Sequence, residues 1–323
     1  MFKNEVNDYK NEVNDYKNEV NDYKNDINDY KNEVNENGIN DIKTFIFVDG
    51  SYYCFYRYFS LLNWWKNAFP ENPIETQIPI ENPVFVEKFK KLFIENLQNI
   101  PHKLHLGKSK SKSESENKKP ILIVGKDCKR ENIWRNEFFP KYKGTRVKDE
   151  KFMGAPFFKM AYEEKLFEQG GANNILSLDK LEADDCIAIT VKQLLEKYKD
   201  KCKIYIIASD HDYLQLNGDQ VKIYNLAYKN ITESKTVVGK ADIDLEIKII
   251  MGDTSDNIPS VFPKCGFKTA LKCYEDKEYF EKKMGKNPEY AEQYKLNQKI
   301  IDFRNIPKDL EVLFIEKNNI LFI

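Results

Sequence analysis

Apolar runs that end in acids constrain this chain most. Carboxylates gather in four short stretches: FVDGS (Asp49), LEADD (Glu182, Asp184, Asp185), IIASDHD (Asp210, Asp212) and MGDTSDN (Asp253, Asp256). Three of the four sit at the edge of an apolar run. A buried element therefore delivers its acids to one end, where they can converge. Converging carboxylates repel one another and are costly to bury unpaired. Whatever the fold, it must bring opposing charge to that end.

The runs read as strands alternating with helices. Residues 44–48 (TFIFV), 120–124 (PILIV), 176–178, 203–208 (KIYIIA) and 221–225 (VKIYN) are short and apolar, as buried strands are. Helices are expected over 51–65, over 84–99, from LEADD to about residue 198, and over 242–251. Residues 66–83, with four prolines, read as a loop, and 129–167 as basic, aromatic and partly helical. The alternation predicts the α/β class, with a mainly parallel central sheet flanked by helices. In such sheets sites form beyond the carboxyl ends of the strands. Asp49, Asp127 and Asp210 fall there.

Residues 3–37 are different in kind. They are five near-perfect heptads, KNEVNDY three times, then KNDINDY and KNEVNEN. Val or Ile alternates with Tyr at the 3 and 4 spacing of a coiled-coil seam. Asn fills two places in seven and is a poor helix former. A disordered low-complexity repeat over 1–40 is therefore expected, with weak self-association as the alternative. The expected division continues with a domain over 41–240, broken by a Ser/Lys-rich exposed linker near 103–119, and a helical region over 241–323. The repeat holds five Lys against ten acidic residues, so a chain of net charge −1 is positive over its remainder. That balance suits a polyanionic partner. None of the six Cys forms a CxxC or zinc spacing, which predicts buried, reduced thiols and an intracellular, reducing compartment. There is no apolar leader and no run near 20 apolar residues, so no membrane association is expected.

Each acidic motif has an ordinary explanation when taken alone. Asp49-Gly50 suits a turn. Glu182, Asp184 and Asp185 complement a helix dipole, although three carboxylates in four residues exceed what a cap needs. Asp210 and Asp212 would project to one side if their segment stays extended. Asp253 and Asp256 suit a turn leading to Pro259. Together the motifs point to divalent cations as the least costly way to hold the acids, and two-metal sites cut phosphodiesters. Residues 134–151 interleave Lys141, Lys143, Arg146, Lys148 and Lys151 with Phe138, Phe139 and Tyr142. Cations attract phosphates, and rings stack on bases. No GxxxxGK[ST] loop is present, so ATP use is not expected.

In order and spacing, FVDGS, VGKDC followed by YKGTR, LEADDCIA, IIASDHDYLQL and GDTSDNIPSVFPKCGFKTA resemble the flap endonuclease and 5′-exonuclease family of PIN-like nucleases. The resemblance covers roughly residues 44–273. Its middle spacing, from Asp127 to Tyr142, Lys143 and Arg146, looks closest to the compact phage ribonuclease H branch. The resemblance implies a PIN-like domain with a helical arch, a helix–hairpin–helix-like C-terminal region, and two Mg²⁺ or Mn²⁺ ions. By it, Asp49, Asp127, Glu182, Asp184, Asp185, Asp210, Asp212, Asp253 and Asp256 are metal-site residues. Lys143 and Arg146 become catalytic residues of a helical gateway, steadying the phosphate and its developing charge. Arg57, Tyr142, Gly266, Lys268 and Thr269 become contacts to DNA. SVFPKCGFKTALK stands where the family grips duplex phosphates, often around K⁺. Only Gly266 remains of the glycine-rich pattern there, which weakens the K⁺ site.

The expectation is a structure-specific 5′ nuclease acting on flaps or 5′ ends of DNA in replication or repair. It would work as a monomer, alongside replication proteins. The alternatives are removal of RNA annealed to DNA, and a non-catalytic nucleic-acid-binding descendant of the fold. None of the expected acids is missing, which favours an enzyme. A phosphatase built on FVDGS would want an Asp where Ser51 stands.

Overall fold

The computed structural model describes residues 42–106, 119–146, 151–320 and 323. The heptad repeat and most of the expected linker lie outside the described residues. Residues from Lys43 onward form one compact unit. Five strands build its sheet: β1 Lys43–Asp49, β2 Ile121–Gly125, β3 Asn174–Leu176, β4 Cys202–Ile207 and β5 Val221–Tyr224. Their order is β3-β2-β1-β4-β5, and every neighbouring pair is parallel.

The unbroken apolar runs of the central strands follow from burial on both faces. Phe45 and Phe47 point into one core with Ile187, Val191 and Leu194 of the Ala183–Tyr198 helix. Ile46 and Val48 point into the other with Tyr53, Phe85 and Phe93. The chain builds outward from β1 to β3, then returns to lay β4 and β5 on the opposite side of β1. A crevice opens at such a switch, beyond the carboxyl ends of the strands. The register places Asp49 opposite Gly125, and Val48 opposite Ile207.

Two helices start at this crevice. The Gly50–Ala68 helix leaves β1 directly, with Asp49 as its cap. The Ala183–Tyr198 helix brings LEADD against the end of β2. Gly125 permits that approach, because a Cβ there would lie 2.8 Å from the Ala183 carbonyl oxygen.

The third strand begins two residues earlier than expected, at Asn174. The proline-containing stretch holds two 3-10 turns, Ile74–Thr76 and Pro79–Glu81. The basic segment is less helical than expected. Its described part has 3-10 turns at Arg130–Asn132 and Trp134–Glu137, and helix resumes at Ala155–Glu163. The middle of the expected arch, 147–150, lies outside the described residues. Downstream, the Ala241–Met251 and Phe267–Glu275 helices pack through Ile247, Ile250, Val261, Phe262 and Ala270. This gives a helix–hairpin–helix-like unit. Among the described residues three further helices follow, Lys277–Met284, Glu289–Ile301 and Lys308–Lys317.

All six cysteines are free, and five are buried. Among the described residues no helix is long and apolar enough to cross a membrane.

Candidate metal and nucleic-acid site

Glu182 caps its helix, and Asp184 and Asp185 occupy the first turn. One oxygen from each lies within 4.8 Å of the others, yet their surroundings differ. Asp185 is fully buried. Arg135 donates to both of its oxygens at 2.8 Å. Trp134 Nε1 and the Glu182 N–H add bonds of 3.0 and 3.1 Å. Glu182 accepts from Arg135 at 3.0 Å and from Lys143 Nζ, and the Tyr142 hydroxyl lies 3.0 Å away. Burial alone would raise its pKa, but Lys143 and Arg135 hold it below the usual carboxylate range. Asp184 accepts the Asp185 N–H at 2.8 Å. Burial, with Asp185 and Glu182 beside it, pushes this carboxyl well above the usual range.

Asp49 accepts the Tyr52 N–H at 2.8 Å and the Tyr213 hydroxyl at 3.0 Å. Burial, then the charge of Asp127, pushes its pKa up to about 7. Asp127 ties the two helix starts together. It accepts the Ala183 N–H at 2.8 Å and the Ser51 hydroxyl. No Lys or Arg among the described residues forms an ion pair with Asp49, Asp127 or Asp184.

Asp210 and Asp212 do not lie on an extended segment. Asp210 instead caps a 3-10 helix, His211–Leu216, by accepting the Asp212 N–H at 3.0 Å. Both nonetheless reach one cation. Lys248 of the Ala241–Met251 helix pairs with Asp212, with Asp253 at 2.9 Å and with Asp210 at 3.7 Å. Its three anions raise its pKa against the effect of burial. Lys248 in turn overrides burial at Asp253, drawing it down to about 2, and lowers Asp210 as well. Asp212 behaves otherwise despite its contact with Lys248. Burial and the adjacent Asp210 lift it to about 7.

The GDTSDN turn is pinned by geometry. Gly252 has φ +69°, and a Cβ there would lie 2.5 Å from the carbonyl oxygens of Ile258 and Pro259. Asp253 and Ile258 form a two-residue bridge. Asp253 accepts the Ser255 N–H at 2.8 Å and its hydroxyl at 2.6 Å. Asp256 is buried, paired with Arg146 and 3.7 Å from Lys143. The Tyr142 hydroxyl is 3.1 Å from it. Tyr142, Lys143 and Arg146 thus bridge LEADD and GDTSDN.

The remaining expected residues lie around this centre. A cleft of about 800 Å³ runs from Asp210 and Asp253 to Lys264 and Gly266 of the hairpin. Gly266 caps the Phe267–Glu275 helix, whose first turn holds Lys268 and Thr269. Arg57 lies over the rings of Tyr53 and Tyr56, 5.3 and 4.7 Å from their centroids. No hydrogen bond or ion pair joins it to the acids among the described residues.

Sequence reasoning missed Lys248 and Arg135. Lys248 had a signal, since it interrupts the apolar run LEIKII five residues before Asp253. A Lys in such a run needs a buried anion. Arg135 had little signal, being one more cation in a basic segment.

The family model for the 5′-3′ exonuclease N-terminal resolvase-like domain matches residues 104–244. That span contains the acids from Asp127 to Asp212. The chain is therefore similar to the 5′-3′ exonuclease family over that domain. A 5′-3′ exonuclease of Buchnera aphidicola (subsp. Schizaphis graminum) is 29% identical over 71% of this chain and 69% of its own length. The ribonuclease H of phage T4 is 32% identical over 45% of this chain, and the 5′-3′ exonuclease of Bacillus subtilis 34% identical over 46%. This chain spans 48% and 50% of those two relatives. Among solved structures, the phage T5 flap endonuclease in a pseudo-enzyme–product complex with DNA and metal ions superposes with TM-score 0.58. It is 18% identical, and the match covers 87% of this chain and 98% of that one. At that identity the likeness speaks for the family fold.

The acids fit divalent cations on their own chemistry. Hard oxygen donors gather at one end of the sheet, and burial with neighbouring carboxylates raises the pKa of three of them, Asp49, Asp184 and Asp212. The site therefore takes divalent metal.

Proposed function

We propose that this protein is a metal-dependent, structure-specific 5′ nuclease that hydrolyses phosphodiesters at flaps or 5′ ends of DNA. One observation carries the reading. Asp49, Asp127 and Asp184 converge where two helices leave the sheet, and no Lys or Arg among the described residues forms an ion pair with them. Relatives named 5′-3′ exonuclease, and the likeness to a flap endonuclease solved with DNA and metal ions, support it. We take the metals to be two Mg²⁺ or Mn²⁺ ions.

In this reading Asp49, Asp127 and Asp184 hold one ion. Asp210, Asp212 and Asp253 would hold the other, while Glu182 and Asp256 are engaged by Lys143 and Arg146. Bound ions of this kind supply a water of lowered pKa and balance charge on the leaving oxygen. The protein does the rest. Asp185 has both oxygens engaged by Arg135, Trp134 and Glu182, so it fixes LEADD from behind. Lys143 and Arg146, paired now with Glu182 and Asp256, exchange part of that pairing for a phosphate oxygen of the substrate. Tyr142 orders both acids. Arg57 supplies a further phosphate contact.

The hairpin grips the duplex. The N-terminus of the Phe267–Glu275 helix, with Lys268 and Thr269 in its first turn, suits an anion. The cleft leads to it from the acids. Residues 41–240 would thus supply most of the acids and 241–323 the grip on DNA. A monovalent ion such as K⁺ could share that grip. Replication or repair is the setting, with replication proteins as partners, a monomeric enzyme, and a reducing intracellular compartment suited to six free thiols.

A second reading is favoured by the similarity to phage T4 ribonuclease H: the 5′ strand is RNA annealed to DNA. One assay separates the two. Labelled 5′-flap DNA, nicked DNA and RNA–DNA duplex are incubated with the full chain and Mg²⁺ or Mn²⁺. Short 5′ products should form and vanish with EDTA. Asp184→Asn should lower the rate by more than the roughly 10–100-fold lost when a group behind a metal ligand is changed. Intact substrates with either cation would overturn the proposal, as would full activity of Asp184→Asn.

A further inference from the structure

The acidic turn that completes the site is held from outside by one side chain. Asn297 lies in the Glu289–Ile301 helix and is wholly buried. Its Nδ2 donates to the Ile249 carbonyl and to the Pro259 carbonyl, each at 2.8 Å. Its Oδ1 accepts from Gln293 Nε2 at 2.8 Å, which fixes which end of the amide faces the turn. Ile249 and Pro259 flank the segment that carries Asp253 and Asp256, and Ile249 adjoins Lys248.

The need for this clip follows from the end of a helix. The last carbonyls of a helix lack intrahelical donors. Ile249 should receive the Asp253 N–H, but that group bonds instead to the Ile258 carbonyl at 2.9 Å. Ile250 is satisfied by the Val261 N–H at 2.9 Å. The Ile249 carbonyl is left for Asn297. A buried carbonyl without a donor costs about 1–3 kcal/mol, so the turn is held in the one arrangement that satisfies both carbonyls.

We infer that Asn297 is a positioning residue for the second cation. By clipping the two ends of the 250–259 segment, it sets where Asp253 stands relative to Asp210 and Asp212. It touches none of the acids itself. The inference rests on the two-metal reading above and adds to it a residue from a helix that carries no acid of the site.

The test measures Mn²⁺ binding to the full chain by calorimetry, without substrate. Asn297→Asp has nearly the same shape but turns a carboxylate oxygen toward two carbonyls. The wild type should bind two Mn²⁺ ions. The variant should bind one as before and the other roughly 10–100-fold more weakly, the usual effect of a change behind a ligand. Gln293→Ala, which leaves both clip bonds in place, should stay much closer to wild type. If Asn297→Asp does not fold, Asn297→Ser, which keeps one donor, carries the same readout. Equal weakening of both ions would mean general loosening and would overturn the inference, as would two unaltered affinities. A wild type that binds no Mn²⁺ would overturn the metal reading and this inference with it, whereas a variant effect on one ion without DNA cleavage by any form would spare the inference and sink only the nuclease assignment.

Discussion

The two halves of the acidic site hold similar charges in opposite ways. Asp210, Asp212 and Asp253 surround the Lys248 ammonium, a cation supplied by the chain. Asp49, Asp127 and Asp184 have hydrogen-bond donors but no ion-paired cation among the described residues. Hydrogen bonds from Tyr52, Tyr213 and Ala183 orient these carboxylates without neutralising them. The acidities follow this only in part: Asp253 is drawn down to about 2 and Asp49 pushed up to about 7, but Asp212, beside Lys248, is also lifted to about 7 by burial and Asp210. One half carries a cation of its own chain, one ammonium among three carboxylates. The other has none within ion-pairing distance among the described residues.

Removing the cation from the half that carries it should give the largest effect. Lys248→Met leaves three acids around an apolar side chain. Breaking a buried pair from one side costs about 3–5 kcal/mol, which predicts a fall in Tm on the order of 10 °C in EDTA. Saturating Mn²⁺ should recover much of that loss, because the vacated charge is the one a divalent ion supplies. Asp49→Asn in the other half should act with opposite sign, raising the metal-free Tm by relieving repulsion with Asp127. Differential scanning calorimetry of both variants, with and without Mn²⁺, checks the contrast. A lowered Tm for both would show that the two halves are not distinct.

Acidity offers a milder way to break the contrast, because each half holds a raised acid. The carboxyls of Asp49 and Asp212 are raised from 3.8 to about 7. Between those values the fold binds more protons than the unfolded chain, so metal-free stability falls as pH rises from about 4 to about 7. Asp253 is lowered from 3.8 to about 2 and contributes the reverse, a loss as pH falls through that lower window. Divalent ions bind the deprotonated acids and release protons. The Tm gained on adding Mg²⁺ should therefore be larger at pH 8 than at pH 5. A metal-induced gain independent of pH would show that the raised acids do not take part in binding.

Most of this site was legible because its acids sit at chain positions that a parallel sheet must bring together. Asp49 and Asp127 follow apolar strands by zero and two residues, and the β1–β2 register makes them neighbours. The cations were harder to read. Lys143 stood out in a cluster, but Lys248 and Arg135 act through tertiary contacts to acids from 5 to 50 residues away in sequence. Nothing local requires a lysine at 248. Asp210 and Asp212 show a different limit. Alternation along a strand predicts a shared side, but an Asp that accepts the N–H two residues on starts a 3-10 turn instead. Local capping overrode the extended geometry, and Lys248 then regathered the pair.

The smallest effect lies outside both halves and tests whether the hairpin belongs to the same function. Lys268 is exposed in the first turn of the Phe267–Glu275 helix, so Lys268→Ala should leave Tm and Mn²⁺ binding unchanged. If its ammonium meets a phosphate, affinity for flap DNA should fall alike for every sequence. The slope of log affinity against log salt should become shallower by about 1. Titrating labelled DNA at several salt concentrations, in Ca²⁺ or EDTA to suppress turnover, measures both quantities. Lys248→Met should give a different pattern, since its charge faces acids and not solvent. An unchanged salt slope in Lys268→Ala would move the duplex off the hairpin and leave the cleft between Asp253 and Gly266 without its proposed occupant.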